Sequence, residues 1–557
     1  MLARLSALFK NLAIYGLGDV ATQILSFLLL PLYVHFLTPA DYGVISLITT
    51  VEVVAKILFR WGVDASYMRL AYDCKTDLDR QRLTSTLFWF LTATNGVTLL
   101  VLLLAIRSVA SHLFGAPGYA LLLGLVLVNT FVIGFYFLPF HQLRIQERPR
   151  QFAALTTGRL FATLIARLLL IVVFQLGVLG FVLADIIVTA VFTLVLARWL
   201  RPLLRPMFSK TILIEALRFG LPRLPHGIAQ QITAVGDRYI LSLFTGLRDV
   251  GVYSIGASFG LALKLFLSAF ETAWAPFYFG IMKEPDAKAT FRVVTTYGVA
   301  VLVLLEAGLA AIATDLVRLM TRPEFYDAAA IIPWVGLGVL FNGVYLLTSI
   351  GLNITKSTKY YPVATGITAA VSVGANLLLV PRFGALGAAW SNAAAYATLA
   401  GVAFVLSQRV YPMRYEYGRV LRLIAAGLGA YLLTWLVPST LPAWLGLLLR
   451  GSLVCAAYPA LLLMLGFYHR RELAFVARLI AGARAKAATL AASGRAPAVR
   501  EESVEAAGAI VEVPLAQDDE DPDVPGSGLH PAEPMAASPD TAGRPGLADQ
   551  TGRRSAS

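Results

Sequence analysis

Apolar residues fill most of the first 470 positions in long unbroken stretches, and short connectors rich in Arg, Lys, Asp, Gly and Pro separate them. A helix needs about 20 such residues to cross a bilayer, so each stretch is long enough to span one. The stretches predict fourteen helices, at 11–36, 42–67, 84–106, 118–141, 152–174, 178–200, 219–244, 249–280, 293–315, 328–352, 361–380, 384–408, 420–437 and 446–468. The connectors supply an independent check. Taken alternately, one set with both flanks holds 28 Lys and Arg, and the other holds six: Arg107, Arg248, Arg318, Arg322, Arg382 and Arg450. Basic connectors stay on the cytoplasmic side, which puts the rich set and both termini there, in the cytoplasmic (inner) membrane. One helix more or fewer would scramble the alternation. Residues 1–10 read as a short amphipathic lead-in rather than a signal peptide, and the outward connectors are too short to form a domain.

Composition narrows the class. With 58% AVILMFWYC, 14% charged residues and a mean hydropathy of +0.71, a soluble globular enzyme is excluded. Cys74 and Cys455 are too few and too far apart to suggest a bridge or a metal site. The last 58 residues hold 12 acidic and 4 basic side chains, leaving 42 basic against 21 acidic elsewhere. Those basic residues are interleaved between apolar runs, which is a membrane pattern and not a nucleic-acid patch. Residues 471–492 carry basic and apolar positions at helical spacing and suit an anionic lipid surface, or simply extend the last span. Residues 493–557, rich in Pro, Ala, Ser and acid, are expected to be disordered and cytoplasmic.

A repeat runs through the spans. F-L-T-P-A-D-Y-G-V-I-S at 36–46 and F-T-G-L-R-D-V-G-V-Y-S at 244–254 share Phe, Asp, Gly, Val and Ser at an offset of 208. G-V-L-G at 177–180 and G-A-L-G at 384–387 echo each other at 207. The offset spans six helices, an even number, so both copies face the same way. The expected fold is therefore an all-α integral membrane protein of fourteen transmembrane helices. It has two parallel six-helix repeats, residues 1–210 and 211–410, around a central cavity, with two extra helices in 411–470.

Ionisable residues inside spanning helices are costly and need a partner or a water-filled cavity. Glu52, Lys56, Arg60 and Asp64 recur every four residues, along one face of a helix. They form either a self-neutralising ladder or, the preferred reading, a cavity wall. Arg159 and Arg167, then Arg223, His226, Asp237 and Arg238, then Lys264, Glu271 and Glu306 add to the set, with Asp19, Gln23 and Asp185 in other helices and Asn342, Asn353, Asn376 and Asn392 late in the chain. The cations Lys56, Arg60, Arg159, Arg167, Arg223, Arg238 and Lys264 suit an anionic substrate, because guanidinium forks match phosphate oxygens. Asp19, Glu52, Asp64, Asp185, Asp237, Glu271 and Glu306 are candidates for binding a coupling proton or Na⁺. Asp237 and Arg238 also read as a structural lock, and His226, after Pro222 and Pro225 at a break in its helix, as a hydrogen-bonded packing residue. There is no phosphate-binding G-x-x-x-x-G-K-[ST] loop, no Cys/His cluster and no hydrolase motif, so neither a cofactor, a metal nor ATP hydrolysis is expected.

The stretches NLAIYGLGDVATQILSFLLLPLYVHFLTPADYGVISL at 11–47, GDRYILSLFTGLRDVGVYSIG at 236–256, and 351–396 with N-I-T-K-S-T-K-Y-Y-P and FGALGAAWSNAAAY resemble the polysaccharide-biosynthesis flippases of the multidrug, oligosaccharidyl-lipid and polysaccharide exporter superfamily. The likeness covers about residues 8–470. It implies a non-enzymatic transporter that turns a lipid-linked oligosaccharide, carried on an undecaprenyl-type pyrophosphate, from the cytoplasmic to the outer leaflet by alternating access. It also implies membrane lipids as surroundings and polysaccharide polymerase or assembly proteins as candidate partners. Alternatives are a peptidoglycan lipid-precursor flippase or multidrug exporter of the same superfamily. A membrane polymerase or ligase would need a sizeable outward loop, and a scaffold would act through the acidic tail.

Overall fold

A computed structural model describes residues 31–469 and Glu472. Helix 1 up to residue 30, with Asp19 and Gln23, lies outside the described residues, as do 473–492 and the tail. All regular structure among the described residues is helical, as a bilayer requires of a backbone that must satisfy its own hydrogen bonds. The helices are α1 (Pro39–Arg60), α2 (Val63–Asp73), α3 (Asp77–Leu104), α4 (Ile106–Phe114), α5 (Ala120–Ile133), α6 (Phe137–Ile145), α7 (Pro149–Leu168), α8 (Gly177–Leu200) and α9 (Lys210–Gly220). They continue as α10 (Leu224–Phe244), α11 (Leu247–Gly260), α12 (Leu263–Ile281), α13 (Ala287–Met320), α14 (Ile332–Thr348), α15 (Ile350–Ile354), α16 (Tyr360–Val410), α17 (Tyr417–Leu433) and α18 (Ala443–Met464).

Among the described residues, ten helical segments are long and apolar enough to cross a membrane, or eleven when the bent pair α11–α12 counts as one span. The protein is multi-pass. Large apolar side chains such as Leu104, Leu194 and Leu378 stand exposed on these spans, where acyl chains replace water. The number differs from fourteen for physical reasons. α16 runs 51 residues and contains two expected spans, joined at Gly384, whose φ of 54° and ψ of −129° leave the helical region. α10 is long enough to span but carries Gln230, Gln231, Asp237 and Arg238.

Several expected helices are interrupted, and three of the interruptions have a clear local cause. The one expected at 42–67 stops at Arg60, because Trp61 (φ 51°) and Gly62 (φ 68°) are both left-handed. Asn95 holds that break: its Nδ2 donates to the Phe59 carbonyl at 2.6 Å, and its Oδ1 accepts from Trp61 Nε1 at 3.2 Å. Gly62 lies against Gly220, so closely that a Cβ on either would sit 2.5–2.6 Å from the other's carbonyl oxygen. The one expected at 249–280 bends by 45° between Gly260 and Leu263. The one expected from 219 begins at Leu224, after a 3-10 turn over Leu221–Arg223 set by Pro222.

The starts of two spans are fixed by capping boxes. Thr38 accepts from the Asp41 amide while its own amide donates to the Asp41 carboxylate, and Thr76 and Asp79 repeat the arrangement. The last two spans are bolted to α13 at both ends. At one end Arg450 of α18 pairs with buried Asp315, and its second nitrogen donates to the Val437 and Pro438 carbonyls. At the other, Glu416 accepts from Thr296 Oγ1 of α13 at 2.8 Å, and Arg419 of α17 donates to the Tyr297 hydroxyl of α13 at 3.3 Å while pairing with Glu416 at 3.0 Å and Glu472 at 3.1 Å.

Candidate functional site

The sequence echo at offset 208 turns out to be a place where the two copies touch. α1 and α11 cross so tightly that a Cβ on Gly43 would lie 1.9 Å from the Leu247 carbonyl oxygen, and one on Gly251 would lie 1.8 Å from that of Pro39. Gly43 and Gly251 are 208 apart, and so are Pro39 and Leu247. Each glycine therefore meets the residue four positions before the other, which is the reciprocity a two-fold axis produces. Ser46 and Ser254, also 208 apart and equally buried, face each other with hydroxyl oxygens 2.6 Å apart. Only glycine permits the approach, and the gain is close backbone packing where no hydrophobic force acts between helices.

The second echo is conformational. Gly177 (φ 56°) and Gly384 (φ 54°) both start a helix from a left-handed residue. Three residues on, Gly180 packs on the Leu170 carbonyl and Gly387 on that of Leu379. The offset of 207 between the glycines pairs position 185 with 392, and the offset of 209 between Leu170 and Leu379 pairs 167 with 376.

Two predicted cations share a cavity. Arg238 and Lys264 line a space of about 50 Å³ with Asp237, Tyr253, Asn342 and Tyr396. Asp237 is only 2% exposed. It accepts from Arg238 Nη1 at 3.2 Å and from the Tyr253 hydroxyl, so the Arg238 charge is already neutralised. Lys264, just past the α11–α12 bend, has an exposed side chain and forms no ion pair with a described residue, leaving the cavity one net positive charge. This narrow, partly open space has room for only a few waters. A pyrophosphate would require it to widen.

The other predicted residues are placed elsewhere. Glu52 pairs with Lys56 at 2.5 Å, and Asp64 with Arg60 at 3.6 Å across the Trp61–Gly62 break, so all four neutralise one another while staying a fifth to a third exposed. Arg167 grips Asp185 through two bonds of 2.8 and 3.1 Å beneath the Phe181 ring. Arg159 lies over Tyr136 at 4.8 Å, and Arg223 over Phe219 at 4.3 Å, without a carboxylate partner among the described residues. Glu271 is exposed on α12. Glu306 is buried in the middle of α13. His226 bonds Thr365 at 2.9 Å, which is a packing role.

Sequence reading missed the Asp315–Arg450 and Arg419–Glu472 pairs because their partners are 135 and 53 residues apart, and it assigned the arginines to connectors. It also missed a wider cleft of about 540 Å³, where Asp73, Asp79, Arg82 and Glu215 meet beside Cys74 and Met207. Its three carboxylates to one arginine make it a poor host for a phosphate. Burial and the neighbouring Asp79 push the Cys74 thiol up, which disfavours its nucleophilic thiolate form.

Residues 33–278 match the family model described as "Polysaccharide biosynthesis protein". No curated protein matches the chain. The fold is shared with solved transporters. One is a lipid II flippase MurJ in an inward closed conformation, at a TM-score of 0.66 and 14% identity, over 80% of this chain and 97% of that one. Another is an inward-facing multidrug resistance MATE family transporter of the MOP superfamily, at 0.54 and 16%, over 74% and 95%.

Proposed function

We propose that this chain is a flippase of the cytoplasmic membrane that carries a lipid-linked oligosaccharide from the inner to the outer leaflet for surface polysaccharide synthesis. The observation that carries the reading is the match of residues 33–278 to a polysaccharide-biosynthesis family, a span that contains both copies of the echo. Two lobes, 1–210 and 211–410, rock about the α1–α11 crossing, and 411–470 moves with the second lobe through its ion pairs to α13. Both termini face the cytoplasm, as the connector charges require. The α1–α11 crossing then lies on the outer side, closed in this state.

The headgroup would carry at least two negative charges, which could not cross hydrocarbon unaided. Lys264 and Arg238 are the residues placed to meet it, the first with its charge uncompensated and the second releasable if Tyr253 retains Asp237. Arg159 and Arg223, without a carboxylate partner among the described residues, would guide it. The chain performs no bond-making step in this cycle. A second reading, transport of the peptidoglycan lipid precursor, is favoured by the similarity to a lipid II flippase.

The test is a deletion strain. It should accumulate a lipid-linked oligosaccharide and lose surface polymer. The intact gene should restore the polymer, and Lys264→Ala should fail to do so at an unchanged protein level. Normal polymer in the deletion strain, together with accumulated peptidoglycan precursor, would favour the second reading.

A further inference from the structure

The acidic side chains of the spans can be sorted by what neutralises them. Glu52, Asp64, Asp185, Asp237 and Asp315 each have an arginine or lysine within 4 Å. Glu306 differs from all of these. It is 9% exposed, takes part in no ion pair with a described residue, and its Oε2 is buried without a hydrogen-bond partner.

The reason is α14. Gly336 faces the carboxyl so directly that a Cβ there would lie 2.2 Å from Oε2, so backbone seals the group from that side. The neighbours offer no counter-charge. α14 has Tyr345 as its sole titratable side chain. On α18, Arg450 is taken by Asp315, about two and a half turns along α13 from Glu306, and Tyr458 donates to the Ala300 carbonyl. On α17, Arg419 is taken by Glu416 and Glu472, Arg422 donates to the Gly466 carbonyl, and Tyr417 and Tyr431 are the other titratable groups. α12 carries Lys264, Glu271 and Tyr278, the last accepting from Asn353. The 3-10 segment Pro323–Ala330 has Glu324 and Asp327, paired with Arg322 and Arg248, and Tyr326.

A bare carboxylate in such a place costs several kcal/mol, and binding a proton removes the charge at the smallest geometric demand. Na⁺, a hard cation, would need several more oxygen ligands, as Ca²⁺ and Mg²⁺ do. No set of three or more His, Cys, Asp or Glu side chains among the described residues gathers at Glu306 to supply them.

We propose that Glu306 is the proton-binding site that couples the cycle. The carboxylate accepts a proton from hydronium, leaving water, when the site opens. It holds that proton in the closed arrangement described here and returns it to water when α14 shifts. α14 is also the link to the cargo, because Val335, Val339 and Asn342, beside Gly336 on the same helix, line the Arg238–Lys264 cavity. Gly338, one turn-face over, packs on Asn392 Oδ1. A charge appearing at Glu306 would therefore press on the helix that walls the cavity. The inference rests on the transport reading above.

The full chain, reconstituted in phosphatidylethanolamine/phosphatidylglycerol vesicles, permits the test. Infrared difference spectra between alkaline and neutral pH should show the carbonyl stretch of a protonated carboxyl in the wild type. That band should be absent in Glu306→Gln, shifted in Glu306→Asp and unchanged in Asp185→Asn. Should Glu306→Gln fail to fold, the shifted band of Glu306→Asp decides alone. In transport, a one-unit pH gradient biases accumulation by up to about tenfold for one proton per cycle, and Glu306→Gln should abolish that bias. A band that persists unshifted in both variants, or a bias that follows a Na⁺ gradient instead, overturns the proposal. If the wild type moves no lipid-linked oligosaccharide while the infrared result is as expected, the substrate reading fails and the proton site stands. If it moves the lipid irrespective of pH, the substrate reading stands and the proton site fails.

Discussion

At 167 and 185 the first half of the chain holds an arginine and an aspartate that grip each other, whereas at 376 and 392, the positions in register with them, the second half holds two asparagines. Asn376 is fully buried and spends its amide on the Ser372 carbonyl, and Asn392 lies under Gly338. Both halves open the second of these helices from a left-handed glycine, although the first half reaches it through a π-helical turn over Leu169–Val173 and the second through continuous helix. The fold thus constrains where helices start and cross, but not how charge is handled inside them. In the first half the described deep charges, Arg159 excepted, neutralise one another in pairs. In the second, Lys264 and Glu306 are left without a partner among the described residues, and that imbalance is what a transport cycle can use.

The largest test of this contrast lies where the halves are most alike. Gly43→Leu and Gly251→Leu should destabilise equally, at or above the upper end of the roughly 1–3 kcal/mol typical of overpacking, because each pushes a side chain into a carbonyl of the partner helix. Thermal unfolding in detergent measures this. In a Cys74→Ser, Cys455→Ser background, oxidation of Ser46→Cys with Ser254→Cys reports the crossing directly, and either leucine should prevent it. A tolerated leucine at one position only would break the two-fold reading.

A smaller effect is expected where the halves differ. Asp185→Asn strands Arg167 in a site about one-fifth exposed and should cost about 1–2 kcal/mol, below the 3–5 of a fully buried pair. Adding Arg167→Asn, which copies the second half's solution, should recover much of that in a double-mutant cycle. No recovery would mean the pair serves something other than mutual neutralisation. The smallest effect belongs to Glu52→Gln, since an i,i+4 pair is worth about 0.2–0.5 kcal/mol, within reach only of a careful unfolding comparison with Lys56→Gln.

Much of this architecture was legible in the residues themselves. Hydropathy placed helices where thirteen of the fourteen expected segments have them, the first lying largely outside the described residues. The echo at 36–46 and 244–254 marked the crossing, because only glycine fits there and the constraint preserved the motif. Breaks were less visible. Gly62 and Gly384 look like any other glycine, since left-handed geometry is decided by what packs against it. Pairings were not visible at all for Arg167 with Asp185 or Arg450 with Asp315, because periodicity reports neighbours on one helix and says nothing of partners on another. The four-residue ladder in α1 and α2 was the exception, and there the simpler alternative, mutual neutralisation, is what the structure contains.

The reciprocal crossing also bears on descent. A half-length ancestor that paired with its own copy would have met itself at that one glycine, and every mutation would have struck the seam twice. Fusing two such copies would let each drift alone, with only the seam holding both under the same restraint. The asymmetric chemistry of Lys264 and Glu306 is what such a release makes available.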